Sequence, residues 1–171
     1  HMLAGGAVMI ECGPMRLVID ARVGKVAQPQ QALRAADEAV RFLEGVATAR
    51  PFLGRDYRGF TPQISDPLAL KMVASIQAVG DEDLTPMAAV AGTIADAVAD
   101  FLFERGMTRV LVENGGDVAI RCCDGEPVAD SFLVQSDYLL QRYEGVFGIT
   151  LLAKSQFLCA KGEIGRAAWM E

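Results

Sequence analysis

Two periodicities alternate along the chain. Between Val8 and Ile19 apolar residues take every second position, first Val8 and Ile10, then Met15, Leu17 and Ile19, with Cys12-Gly13-Pro14 between the runs. A period of two belongs to half-buried strands, so this segment predicts a β-hairpin. From Pro29 the period lengthens: Leu33, Ala36, Val40, Leu43 and Ala47 recur at helical spacing, with Arg34–Glu38 and Asp37–Arg41 spaced as ion pairs on the opposite face. An amphipathic helix ending between Gly45 and Ala49 is expected. The next helix is punctuated at both ends, by Asp66 as N-cap, Pro67 in the first turn and Gly80 beyond the last, with Leu68, Met72, Val73, Ile76 and Val79 as its apolar face. A third runs from Thr85-Pro86 to Gly106 and is apolar almost all round from Pro86 to Ala95, which predicts a buried N-terminal half. Strands then return in "TRVLVE" and "DVAIRCC", and an Asp124-Gly125 turn, "FLVQS" and "GVFGITLL" extend them into an antiparallel meander. The class is α+β, a mixed or antiparallel sheet with helices packed on it, in a single domain over residues 1–171.

Composition narrows the function classes. Apolar residues make up 51% of the 171 positions, yet the longest uncharged run, Leu84 to Ala95, is about half a bilayer span and contains Pro86 and Gly92. A soluble, cytoplasmic protein is expected, and the surplus of Ala and Val points to close helix packing and a homodimer interface. The net charge of -6 argues against nucleic acid or an anionic membrane as partner. One local basic stretch stands out: Arg50, Arg55 and Arg58 with Tyr57 and Phe60 read either as a phosphate grip or as a plain surface loop. His1, the only histidine, reads with Met2 as the remnant of an expression tag, so histidine-based triads and histidine-ligated zinc have no candidate residue here. Cys12, Cys122, Cys123 and Cys159 show no C-x-x-C spacing and are expected as buried free thiols.

The candidate chemistry lies in Asn114-Gly115-Gly116-Asp117. Asn-Gly between alternating strands is a strong hairpin signal and needs no ligand; glycines at a strand end also let a phosphate or ring approach bare backbone, with a carboxylate beside it. The third helix offers small residues at three- and four-residue spacing, Ala88, Ala91, Gly92, Ala95 and Ala99, which suit either a closely crossed helix or a ligand. Its N-terminus is a potential anion site. Asp81, Glu82 and Asp83 just before it read as dipole partners or as oxygen ligands for Mg²⁺.

The run "AVAGTIADAVADFLFERGMTRVLVENGGDV" resembles the ApbE family of flavin transferases, which move FMN from FAD to a threonine of a target protein. Gly92, Ala95 and Asp96, then Gly106, then Gly115, Gly116 and Asp117 follow the family's order of a Gly-x-x-Ala-Asp helix, a terminating glycine and a Gly-Gly-Asp turn. "GPMRLVID" and the helix after it resemble most closely a bacterial and archaeal branch with this fold. The resemblance implies an ApbE-like, T-fold-related domain with FAD held by Gly92, Asn114, Gly115, Gly116 and Asp117, Mg²⁺ on Asp117, and a protein substrate; Asp96 is expected to support the fold. It assigns no catalytic residue. Ala91 stands where the family has Lys, Glu113 where it has Asn, and the later Ser-Gly and Asp-Ala-x-x-Thr segments have no counterpart after Ile120, so a domain shortened at its C-terminal end is expected. The alternative is a non-catalytic dimeric scaffold or binding domain that keeps the fold without flavin.

Overall fold

The computed structural model describes residues 1–54, 64–79 and 83–123. The first hairpin forms as the alternation predicts: β1 (Val8–Cys12) pairs antiparallel with β2 (Met15–Val23), Val8 opposite Ile19 and Cys12 opposite Met15. A short strand β3 (Val26–Ala27) folds back on the end of β2, an element too brief to show a period. β4 (Arg109–Asn114) and β5 (Asp117–Cys122) extend the sheet, whose described strands are all antiparallel and run in the order β1-β2-β4-β5, with β3 on β2. The helices α1 (Pro29–Leu53), α2 (Pro67–Val79) and α3 (Val90–Phe103) lie between β3 and β4 in the chain. The α+β class is therefore as expected, and among the described residues every strand pairing is antiparallel.

One face of the sheet meets the helices. Val8, Leu17, Ile19, Ala21, Val110, Val112 and Ala119 pack against Ala32, Ala35 and Ala39 of α1 and Ile94, Val98 and Leu102 of α3. A second cluster joins Val46, Ala49 and Leu53 of α1 to Ala69, Met72 and Val73 of α2.

Helix α1 departs from its predicted face and length. Its buried stripe is Ala32, Ala35, Ala36, Ala39, Val46, Ala49 and Leu53, whereas Leu33 and Ala47 are exposed. Close approach to the sheet selects alanines, and the larger residues that dominate a hydrophobicity pattern fall to the flanks. Arg41 pairs with Glu38 at 2.9 Å instead of with Asp37. The helix also runs through Gly45 to Leu53, so Arg50 belongs to its last turn and not to a loop. Gly45 is there for space: a Cβ on it would collide with the Asp66 carboxylate. Asp66 is held in place by its own task as N-cap of α2, where Oδ1 accepts the Ala69 N–H at 2.8 Å. Ala69, Met72, Val73 and Ile76 form the buried face of α2, Leu68 is half-buried, and Val79 is exposed.

The third helix is corrected at its start. Pro86–Ala89 forms a 3₁₀ turn, the α-helix begins at Val90, and Thr85 makes no side-chain cap. Its deepest burial comes after the first turn, at Thr93, Ile94, Ala95, Val98, Ala99 and Leu102, while Ala88 is exposed and Ala91 and Gly92 are half-buried. The predicted burial of Pro86 to Ala95 is thus met at Pro86 and at Thr93, Ile94 and Ala95, and not at the residues between them. The C-terminus behaves as predicted: Gly106 adopts a φ of 85°, and the Met107 N–H donates to the Leu102 carbonyl at 3.3 Å. By length and composition Pro86–Phe103 is apolar enough to cross a membrane; here it packs on the sheet and carries Asp96 and Asp100.

The cysteines are also corrected. Cys122 is disulfide-bonded, and of the free ones Cys12 is half-buried and Cys123 exposed. Arg55, Tyr57, Arg58, Phe60, Gly80, Asp81, Glu82, Asp124-Gly125, "FLVQS", "GVFGITLL" and Cys159 lie outside the described residues.

Candidate functional site: the β4–β5 turn on helix α3

Asn114 and Asp117 close the β4–β5 hairpin as the last bridge pair, with Gly115 at φ 62° and Gly116 at φ 109° between them. Positive φ at both central positions is the demand of a tight turn whose twist matches its strands, and glycine meets it without strain. Both glycines are exposed, and a Cβ on either would meet nothing within 4 Å, so it is the backbone conformation that selects them.

The two residues flanking the tip do more. Asn114 is buried and its Nδ2 donates to the Ala91 carbonyl at 3.0 Å. The Asp117 carboxylate lies beside Gly92, near enough for the Gly92 N–H to favour its charged form. Ala89 at the N-cap of α3 has no side-chain oxygen to offer. A carboxylate from β5 lies at this end of the helix instead, and its charge suits the positive end of the helix dipole. The α-helix N-terminus, where an anion was expected, thus falls at Val90 rather than after Thr85, and the protein's own Asp117 lies beside it.

Asp117 is exposed with the two glycines of the tip; the partial burial of its carboxyl against α3 pushes it above its ordinary pKa, and the Gly92 N–H opposes that shift. Glu113 is treated similarly: burial raises it most, the Gly116 N–H and the charge of Arg16 pull it down, and the charge of Asp117 raises it further. Its Oε1 accepts the Gly116 N–H at 2.7 Å. Glu113 stands on the opposite face of β4 from Asn114, so it braces the turn from behind.

The structure therefore brings Gly92, Asn114 and Asp117 together and leaves Gly115 and Gly116 at the exposed tip. Arg50 is exposed at the end of α1, and Asp83 is exposed ahead of the 3₁₀ turn. Among the described residues no three His, Cys, Asp or Glu side chains converge. Ala95 and Ala99 pack in the core, whereas Ala88, Ala91 and Gly92 are not sealed.

A residue the sequence reading passed over completes the arrangement. Arg121 of β5 is only 6% exposed, yet it faces the helices; its Nε donates to Asp100 at 2.7 Å and its Nη2 to Asp96 at 3.0 Å. Burial alone would pull its pKa down, but the two aspartates outweigh it and hold it above the ordinary arginine value. Asp96 thus ties α3 to the sheet. The signal was present as an arginine at an inward strand position and two aspartates one turn apart in an apolar helix. Elsewhere, a groove of about 540 Å³ at the C-terminal half of α3 is lined by Arg41, Phe42, Lys71 and Phe101 among others, with Arg105 stacked 3.5 Å from the Phe101 ring. It is separate from the turn.

An antiparallel sheet with helices on one face, and a turn that docks on a helix N-terminus, define the class of domain. The chain belongs to the family described as AbpE bacteria, whose profile matches residues 1–168. It is also similar to two UPF0280 proteins of Methanococcus maripaludis, from strains C5 and C7, each 31% identical over 80 residues that make up 47% of this chain and 32% of the relative. The matched stretch thus spans about a third of the length of those relatives.

Proposed function

We propose that the chain binds a flavin nucleotide, FAD or a close relative, where the β4–β5 turn meets the start of α3. The observation that carries this reading is Gly92: the backbone is bare and half-open beside Asp117, although a Cβ there would make only ordinary contacts, 3.8 Å to Asp117 Cγ. The fold does not require a glycine at that position, whereas a ligand lying against the backbone does. Membership of the AbpE family and the resemblance to flavin transferases support the same reading.

Mg²⁺ fits the donor chemistry, because it is commonly held by one or two carboxylates with water and substrate phosphates completing its shell. Asp117 is the residue that would hold it, and the ion, when bound, would neutralise pyrophosphate charge. Asn114 keeps the Ala91 end of α3 in place, and Glu113, bonded to Gly116, fixes the tip. FMN transfer to a protein threonine is the reaction the resemblance attaches to such a site; among the described residues none is placed as its general base, and the proposal is one of binding.

A second reading is favoured by one specific observation: the Asp117 carboxylate already lies beside the start of α3, where its charge suits the helix dipole, so the turn has a role as a cap without any ligand. The chain would then be a scaffold or binding domain that keeps the fold. Titrating the protein with FAD, with and without Mg²⁺, while following flavin fluorescence and melting temperature separates the two. Saturable, Mg²⁺-dependent binding that is lost in a folded Asp117→Ala variant supports the flavin site. No binding and no melting shift in the parent protein leaves the capping role alone.

A further inference from the structure

The contacts between α3 and β5 form a two-point attachment. Gly92, Asp96 and Asp100 lie four residues apart on one stripe of α3, and Asp117 and Arg121 lie on the same face of β5. From Gly92 to Asp100 the helix rises about 12 Å, at about 1.5 Å per residue. From Asp117 to Arg121 the strand advances about 13 Å, at about 3.3 Å per residue. The spans match, so when Arg121 sits between Asp96 and Asp100, Gly92 falls beside Asp117. A slip of α3 by one turn, about 5.4 Å, would take one aspartate away from Arg121 and carry Gly92 past Asp117.

We propose that Arg121, gripped by Asp96 and Asp100, is a register pin that sets α3 against β5 and thereby places the Gly92 backbone beside Asp117. Arg121 is buried while Asp96 and Asp100 reach the surface; such a half-buried ion pair is a poor source of net stability, because desolvation offsets much of the attraction, but it is well suited to choosing one alignment among several that an apolar face would accept. The face of α3 invites such ambiguity: it is built of Ala95, Ala99, Ile94, Val98 and Leu102, residues that offer little directional preference. Arg121 supplies direction through three donated bonds, to Asp100, to Asp96 and, from Nη1, to the Ile120 carbonyl at 3.0 Å. Arg121 touches no part of the proposed flavin site, so its role there is positioning. Its effect on a ligand rests on the flavin reading; its effect on register does not.

The test is amide hydrogen exchange on the ¹⁵N-labelled full chain, read at Gly92, Ile94 and Val98, together with FAD titration. The variants are Arg121→Lys, which keeps the charge but loses the planar fork, and the triple variant Asp96→Asn/Asp100→Asn/Arg121→Met. Gly92 is expected to exchange about tenfold faster in both, while Ile94 and Val98 stay within about twofold of the parent protein. Unchanged exchange at Gly92 in a folded variant overturns the proposal, and so does a uniform rise at all three amides, which marks a general stabiliser. If the triple variant does not fold, Arg121→Lys is judged by the same criteria. Loss of Gly92 protection in the variants with no FAD binding by the parent protein upholds the pin and refutes the flavin reading. Loss of both upholds both.

Discussion

Replacing Gly92 by alanine separates what the fold needs from what a ligand needs. A Cβ at this position would sit 3.8 Å from Asp117 Cγ and 4.0 Å from Oδ2, which is ordinary van der Waals contact. Nothing has to move. Alanine loses less backbone entropy on folding than glycine, by about 0.5–1 kcal/mol in a helix. For a chain of 171 residues that is a rise in melting temperature of roughly 1–4 °C. Thermal unfolding followed by circular dichroism at neutral pH, without ligand, measures it. Gly45→Ala is the internal contrast: its Cβ would collide with the Asp66 carboxylate, which is committed to the Ala69 N–H at 2.8 Å. Losing that cap typically costs about 1 kcal/mol, which cancels a propensity gain of about 1 kcal/mol at most, so the variant melts at or below the parent temperature. A drop of several degrees in Gly92→Ala, or a rise in Gly45→Ala, would refute the steric reasoning.

Other outcomes follow from the same geometry. Asp117→Ala removes the carboxylate beside the start of α3 and is expected to cost about 0.3–1 kcal/mol by denaturant titration, as loss of a helix-dipole partner does. Asp66→Ala should cost a similar amount, about 1 kcal/mol, and should also relieve the clash in Gly45→Ala, so the double variant is more stable than the sum of the singles allows. Glu113 holds its proton more tightly in the folded state than in the unfolded chain, so its ionisation lowers stability as pH rises through its raised folded value. Glu113→Gln keeps an oxygen for the Gly116 N–H and removes the buried charge. It should therefore melt at or above the parent temperature at pH 7, with the difference vanishing below about pH 3, where Glu113 is protonated in both states; a lower melting point at pH 7 would show that the charge itself braces the turn.

Much of this fold was legible because local rules and global packing agree. The hairpin around Gly13, the Asp66-Pro67 helix start and the Gly106 helix stop each combine a periodic pattern with a residue whose backbone or side-chain chemistry suits that position. The errors lie where tertiary contact overrides a local rule. Gly45 looked like a helix end, but its missing side chain makes room for a carboxylate from the next helix. The face of α1 was misjudged because its buried stripe is alanine, which weighs little in a hydrophobicity pattern yet permits the closest packing. Thr85-Pro86 carries the local pattern of a helix start, yet the α-helix begins at Val90, where the neighbouring carboxylate is that of Asp117, more than twenty residues later in the chain.

The candidate site was legible in the same uneven way. The Gly-Gly pair announced a turn, and the resemblance drew attention to Gly92 and Asp117, which the fold does bring together. That Asn114 holds the Ala91 carbonyl, that Glu113 bonds to Gly116 from the other face, and that Arg121 bonds Asp96 and Asp100 are facts of strand pairing and helix packing. A linear pattern carries parity along a strand, but not which helix will lie across it.

The most direct test of the flavin reading is to titrate parent protein and Gly92→Ala with FAD in the presence of Mg²⁺, under conditions where both are fully folded. The account predicts saturable binding by the parent and its loss in Gly92→Ala, even though the variant is as stable as the parent or more so. Equal binding by both proteins, or no binding by the parent, would contradict it.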